Sequence, residues 1–170
     1  MEAETELKYI FSNINEWLKF AEAKHAGLIV FNAGLIIGFM SCYNNIQYVI
    51  FKPTLIVGIA LLGISILLSL ASQFPVTQNL LNSKQQIQNP NLYFFGNLCY
   101  LDLDDFINEF KHIDIQFNPS KLDKYLINQI LVNARITQAK YVFFKFASYI
   151  TALGFGLIGF SSFIKIIWHF

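Results

Sequence analysis

The stretch PTLIVGIALLGISILLSLA, from Pro53 to Ala71, carries no charged side chain, and its reading decides the fold. A helix rises about 1.5 Å per residue and the hydrocarbon core of a bilayer is roughly 30 Å thick, so a run of this length crosses it with little tilt. Working outward, AGLIVFNAGLIIGFMSCY (26–43) and the run from Phe146 to Ile164 are of similar length and equally free of charge. The three runs predict an all-α integral membrane protein. Its transmembrane helices, at 26–43, 53–71 and 146–164, extend into a cytoplasmic helical bundle made by residues 1–25 and 74–145, and residues 1–170 are read as a single unit.

Orientation follows from the cations. Lys19, Lys24, Lys84, Arg135, Lys140 and Lys145 flank the spans on the side shared by the N-terminus and the long loop, whereas only Lys52 and Lys165 flank the other. By the positive-inside rule, the N-terminus and the long loop are expected in the cytoplasm, with the Asn44, Asn45, Gln47 connection and the C-terminus outside. Tyr43, Tyr48 and Trp168 then fall at the outer interface, where amphipathic rings favour the headgroup layer. Glu2, Glu4 and Glu6 precede the first span in place of a positively charged leader, so that span is expected to be retained. With 55% hydrophobic and 14% charged residues and a formal charge of +1, the composition is that of a membrane protein with a modest polar part. The loop from Phe74 to Lys140 has as many acidic as basic residues, which argues against a nucleic-acid polymer as ligand. Cys42 and Cys99 fall on opposite sides of the bilayer and are not expected to pair.

Helical patterning continues outside the lipid. Leu7, Ile10, Ile14, Trp17 and Ala21 make an apolar stripe leading into the first span. Asn118-Pro119 reads as a helix start, after which Leu122, Leu126, Gln129, Asn133, Ile136 and Lys140 keep a four-three spacing. No Gly or Pro follows until Gly154, so one helix of about 70 Å is expected from 119 to 167. The second span is expected to continue, kinked, past Pro75 to Gln88. Between Asn89 and Asn118 lie Tyr93, Phe94 and Phe95, and then a short helix from Asp102 to Lys111 whose first turn is acidic, as the helix dipole favours.

Gly34 and Gly38 form a GxxxG step, and Ser148, Ala152 and Gly156 repeat at four-residue intervals, so two helix faces permit close backbone approach. Either they pack within one chain or they mate with a neighbouring copy. Asn32 is the strongly polar side chain well inside a span and is a candidate tie between helices. No carboxylate, histidine or arginine lies inside a span, which lowers a transporter or proton-relay reading. His25, His112 and His169 are scattered, and no metal-ligand motif, phosphate loop or nucleophile with an oriented base is recognisable. No catalytic residues, metal site or cofactor are therefore expected.

The string Trp17-Leu18-Lys19-Phe20-Ala21-Glu22-Ala23-Lys24 ahead of a span with Asn32, then Asn91-Leu92-Tyr93-Phe94-Phe95-Gly96, Gln129-Ile130, Asn133-Ala134-Arg135-Ile136 and Lys140-Tyr141, resembles the transmembrane effector family of Pycsar antiphage defence. The likeness runs over nearly the whole chain. It implies a bacterial inner-membrane effector that stays quiet until a cyclase senses phage and makes a cyclic nucleotide. In the Pycsar case that messenger is a cyclic pyrimidine mononucleotide. The effector then forms a homo-oligomer or rearranges, impairs the lipid bilayer and stops growth before phage mature.

A cyclic nucleotide offers one phosphate charge, a flat base and a ribose, so its site needs a cation, an aromatic surface and hydrogen-bonding groups. Arg135 suits the phosphate best, with Asn133, Gln129, Lys140 and Lys24 near it and Tyr93, Phe94 and Phe95 for stacking. Each has a plainer alternative. Arg135, Lys140 and Lys24 mark the inner membrane boundary, or Glu16 and Glu22 neutralise Arg135 or Lys140; Gln129 and Asn133 fix register; the aromatic trio is core; Asp102 caps a helix. Two other functions stay open: a messenger-independent small channel or toxin-like protein, and a membrane scaffold docking a soluble partner.

Overall fold

A computed structural model describes residues 2–43, 51–74, 87 and 89–167. Regular structure among them is helical throughout: α1 (Glu2–Tyr43), α2 (Phe51–Ala71), the short α3 (Phe95–Leu98), α4 (Leu103–Ile113) and α5 (Lys121–Ile167). The expected all-α class holds, and α1 and α5 run unbroken from their flanking segments into the apolar runs. Among the described residues α1, α2 and α5 are long and apolar enough to cross a membrane, yet their most apolar windows are only 11%, 28% and 22% buried. In a water-soluble bundle such windows form the core. Here most of that surface faces outward, which is stable only against hydrocarbon.

Packing separates two compact units, Met1–Glu22 with Pro75–Tyr141, and Ala23–Phe74 with Val142–Phe170. In the first, Leu7, Ile10 and Ile14 of α1 meet Phe95 and Leu98 of α3, Phe106 and Phe110 of α4, and Ile127, Ile130, Leu131 and Ala134 of α5 in one buried cluster. The α1 stripe is as the spacing predicts. That of α5 is offset from it: Leu122 is 77% exposed and Gln129 is exposed, while Ile127, Ile130 and Ala134 point inward. Two heptad registers are open to this segment, and the one that buries branched apolar side chains against α1 wins over the one that buries amides.

Two helix starts show why caps matter. α5 begins at Lys121 and not at Pro119, because Ser120 is the cap: its hydroxyl accepts from the Asp123 N–H at 3.2 Å while the Asp123 carboxylate accepts from the Ser120 N–H at 2.9 Å. α4 carries the same reciprocal box between Asp102 and Asp105, so Asp102 is a cap as expected. α2 ends at Ala71, short of the expected continuation past Pro75 to Gln88, of which residues 75–86 and 88 lie outside the described residues, as do the connection with Asn44, Asn45 and Gln47 and the ring anchors Tyr48 and Trp168.

The second unit is built from the later part of α1, from α2 and from the later part of α5. Leu55, Leu62 and Ile158 form its apolar core, with Leu35, Ile36, Phe39 and Ile59 packed against them. α2 and α5 touch at two glycines that the sequence reading passed over. A Cβ on Gly154 would sit 2.9 Å from the Gly58 carbonyl oxygen, and one on Gly58 would run into Ile158 and lie 3.0 Å from the Gly154 carbonyl oxygen. Among the described residues the glycines singled out from spacing meet no other part of the chain. A Cβ on Gly34, Gly38 or Gly156 would meet nothing within 4 Å, and Ala152 is exposed. The small-residue repeats were read as faces for close backbone approach, within one chain or between copies; the intrachain glycine contact falls on a different face of α5, where Gly154 is buried.

Candidate functional site

In the first unit three of the sequence-predicted polar residues, Arg135, Asn133 and Lys140, lie along α5 and are held. Arg135, the only arginine of the chain, donates through Nη2 to the Leu101 carbonyl at 2.8 Å and through Nε to the Cys99 carbonyl at 3.3 Å. The guanidinium thereby straps the connection between α3 and α4 to α5. Its acceptors are neutral, so its charge is not cancelled by a carboxylate among the described residues. Asn133 donates to Asn15 Oδ1 at 2.8 Å, tying α5 to α1. Lys140, with its side chain 7% exposed, pairs with Glu22 at 3.3 Å. Glu22 thus takes the neutralising role foreseen for it, toward Lys140 and not toward Arg135. Gln129 stands exposed, outside this set. Lys24 belongs to the second unit, its ammonium 5.4 Å from the centroid of the Phe144 ring.

The aromatic trio divides. Phe95 is core, stacked on Tyr141 with centroids 4.9 Å apart and tilted against Trp17 at 5.5 Å. Tyr93 and Phe94 are 38% and 42% exposed, so a flat base has access to them and not to Phe95. Tyr93 is nevertheless fixed. Its hydroxyl is bonded to the Glu6 carboxylate, which pushes the phenol pKa up, and its carbonyl accepts from Asn13 Nδ2 at 2.7 Å. Asn13 and Asn15 escaped the sequence reading, since an amide beside an apolar stripe gives no signal until its partner is known. Beneath the Arg135 strap the Cys99 thiol is buried, and burial pushes its pKa to about 11.

A cavity of about 860 Å³ in the same unit holds none of these residues; Glu4, Lys8, Asp114, Gln116, Ser120 and Asp123 line it with Ala3, Phe117, Asn118, Leu122 and Leu126. Three carboxylates face one lysine there, and Lys8 is already paired to Glu4 at 2.6 Å. That electrostatic field opposes a phosphate.

The second unit contains a polar knot. Asn32 of α1 donates both amide hydrogens, to Ser65 Oγ of α2 at 3.0 Å and to Thr151 Oγ1 of α5 at 2.9 Å. Those hydroxyls lie 2.8 Å apart, and Ser65 passes its own hydrogen to the Ala147 carbonyl at 2.8 Å. Asn32 is therefore the interhelical tie that its position suggested, joining all three apolar helices. Ser65 and Thr151 were missed because single hydroxyls in a span are common and usually bond their own helix.

Three bilayer-length helices tied by a buried amide, continuous with a helical unit that carries most of the charge, define a small polytopic membrane protein with a folded extramembrane part. The profile of the Pycsar effector protein domain (PycTM) matches residues 6–166, and the chain belongs to that family. It is an antiphage defence membrane effector. No curated protein and no solved structure matches it.

Proposed function

We propose that this effector is switched by a cyclic nucleotide, a cyclic pyrimidine mononucleotide first among the candidates, which binds the first unit on the cytoplasmic side of the bacterial inner membrane. Arg135 carries the proposal. Among the described residues its guanidinium faces only neutral carbonyls, so a phosphate that reached it would gain a charge-assisted contact those carbonyls do not supply. Tyr93 and Phe94 supply exposed ring surface, and Asn133 and Lys140 lie along the same helix. Pulling Arg135 off Cys99 and Leu101 would free the connection between α3 and α4, and α5 is one helix from this strap into its apolar run. Differential affinity of about 5.5 kcal/mol is what such a switch needs to pass from 1:99 to 99:1. Shared binding across a homo-oligomer lightens that demand. The outward Gly34 and Gly38 on α1 support such an assembly, since they leave a backbone face open to a second copy.

The test is a titration of cyclic nucleotides against the full chain in lipid vesicles, reading binding and dye release together. Release on adding one cyclic mononucleotide, lost in Arg135→Ala, is expected. A chain that binds none of them would overturn the proposal.

A further inference from the structure

Inside the second unit the buried stripes of the three helices change character at one level. At the Asn32 layer α2 buries Ser65; on one side of that layer α2 buries Ser69, the turn that follows it buries Ser72, and α1 buries His25, all 0% exposed. On the other side α2 buries Leu62 and Leu55 and α5 buries Ile158, in the apolar cluster completed by Leu35, Ile36 and Phe39 of α1. Each buried hydroxyl must find a partner without water: Ser65 Oγ donates to the Ala147 carbonyl and Ser72 Oγ to the Ser69 carbonyl, both at 2.8 Å.

Two of these groups have no protein partner among the described residues: Asn32 Oδ1 and Ser69 Oγ, both fully buried. Exchanging the Asn32 oxygen and nitrogen does not help. The exchange would replace one unpaired carbonyl by two unpaired N–H groups, since both amide hydrogens are already used. An unmatched carbonyl in hydrocarbon is strongly unfavourable. A small molecule that donates satisfies the carbonyl and one that donates or accepts satisfies the hydroxyl, and water does either at ordinary cost.

We infer that the Asn32–Ser69 layer binds water, that the polar half of this unit is a hydrated vestibule within each protomer, and that the apolar layer of Leu62 and Ile158 is the hydrophobic gate which closes it to small monovalent ions. A hydrophobic constriction blocks ions by dewetting and opens when it is widened or made polar. Gly58 and Gly154 hold the gate shut, because they leave no room for a Cβ between α2 and α5 beside Leu62 and Ile158. Opening requires those helices to part there, and the neutral amide and hydroxyl lining then conducts water and small ions without a fixed charge. The inference deepens the effector reading and rests on it, by placing the membrane lesion through the protomer and not between copies.

The full chain is reconstituted, without nucleotide, in vesicles of phosphatidylethanolamine and phosphatidylglycerol, and proton and K⁺ flux is measured. Leu62→Ser and Ile158→Ser are expected to raise the flux about tenfold over wild type, as for a gate made wettable. Adding Asn32→Leu to either is expected to return it to the wild-type level. Gate variants that insert with wild-type helix content and stay as tight as wild type overturn the inference. A second measurement does not depend on opening. In a chain with both native cysteines replaced by serine, Ser69→Cys is expected to react with Ag⁺, which reaches thiols through water, much faster than Leu62→Cys. Equal rates overturn the vestibule. If nucleotide makes the wild type leak while the gate variants stay tight, the conduction path is wrong and the effector reading stands. If the gate variants leak and the wild type ignores every cyclic nucleotide, the reverse holds.

Discussion

Replacing Arg135 by alanine removes two contacts of unequal strength. The 2.8 Å bond from Nη2 to the Leu101 carbonyl is short and charge-assisted, while the 3.3 Å bond from Nε to the Cys99 carbonyl is at the long edge of the range. Hydrogen bonds to charged groups contribute about 1.5–3 kcal/mol and stretched ones less, so about 2.5 kcal/mol is at stake. For a chain of this size that corresponds to a Tm lower by about 7 °C. Thermal unfolding of the detergent-solubilised chain followed by circular dichroism reads the shift. A variant melting within about 1 °C of wild type would show that the strap is dispensable and would refute the reasoning, because two freed carbonyls in a half-buried connection must cost more than that. Arg135→Lys separates the structural role from recognition. Lysine keeps the charge and one carbonyl contact but not the planar fork, so it is expected to regain part of the stability and little of the nucleotide response. Full recovery of that response would remove bidentate phosphate binding from the proposal.

Gly154→Leu forces side-chain atoms against the Gly58 carbonyl, at 2.9 Å from the first carbon, and is expected to cost about 1–3 kcal/mol, read as a lower melting temperature. Gly38→Leu, with open space at its Cβ, is expected to leave that temperature unchanged and to reduce toxicity in cells; unchanged toxicity at equal protein level argues against that face as the contact between copies. In a Cys42→Ser chain the Cys99 thiol, its pKa raised to about 11, is expected to resist iodoacetamide at pH 8 until the protein unfolds, as mass spectrometry would show. Because the unfolded thiol ionises near 9 and the folded one near 11, its contribution to stability is complete below about pH 9 and fades as pH rises toward 11. Asp102→Ala removes the side-chain acceptor of the α4 capping box and is expected to cost about 1 kcal/mol in the same melting experiment; an unchanged melting temperature would mean solvent replaces the cap freely.

That three helices are long and apolar enough to span, and that α1 carries a buried stripe, follow from the sequence, because a bilayer imposes one length and one polarity on any helix that crosses it, independent of what that helix touches. The family resemblance was legible for the same reason that short strings in order along a chain are. Register was not. The spacing of α5 fits two stripes, and only the pairing with Leu7, Ile10 and Ile14 selects Ile127, Ile130 and Ala134 over Gln129. Nor did spacing distinguish Gly154, which meets Gly58, from Gly156, which meets nothing, since both are glycines in one apolar run and differ only in the direction each faces. Likewise Arg135 announced a cation but not its acceptors, and the serines of α2 became an internal polar stripe only once α1 and α5 closed around them. Lipid solvation acts on each segment alone and is written in composition; packing acts between segments far apart in sequence and is decided where they meet.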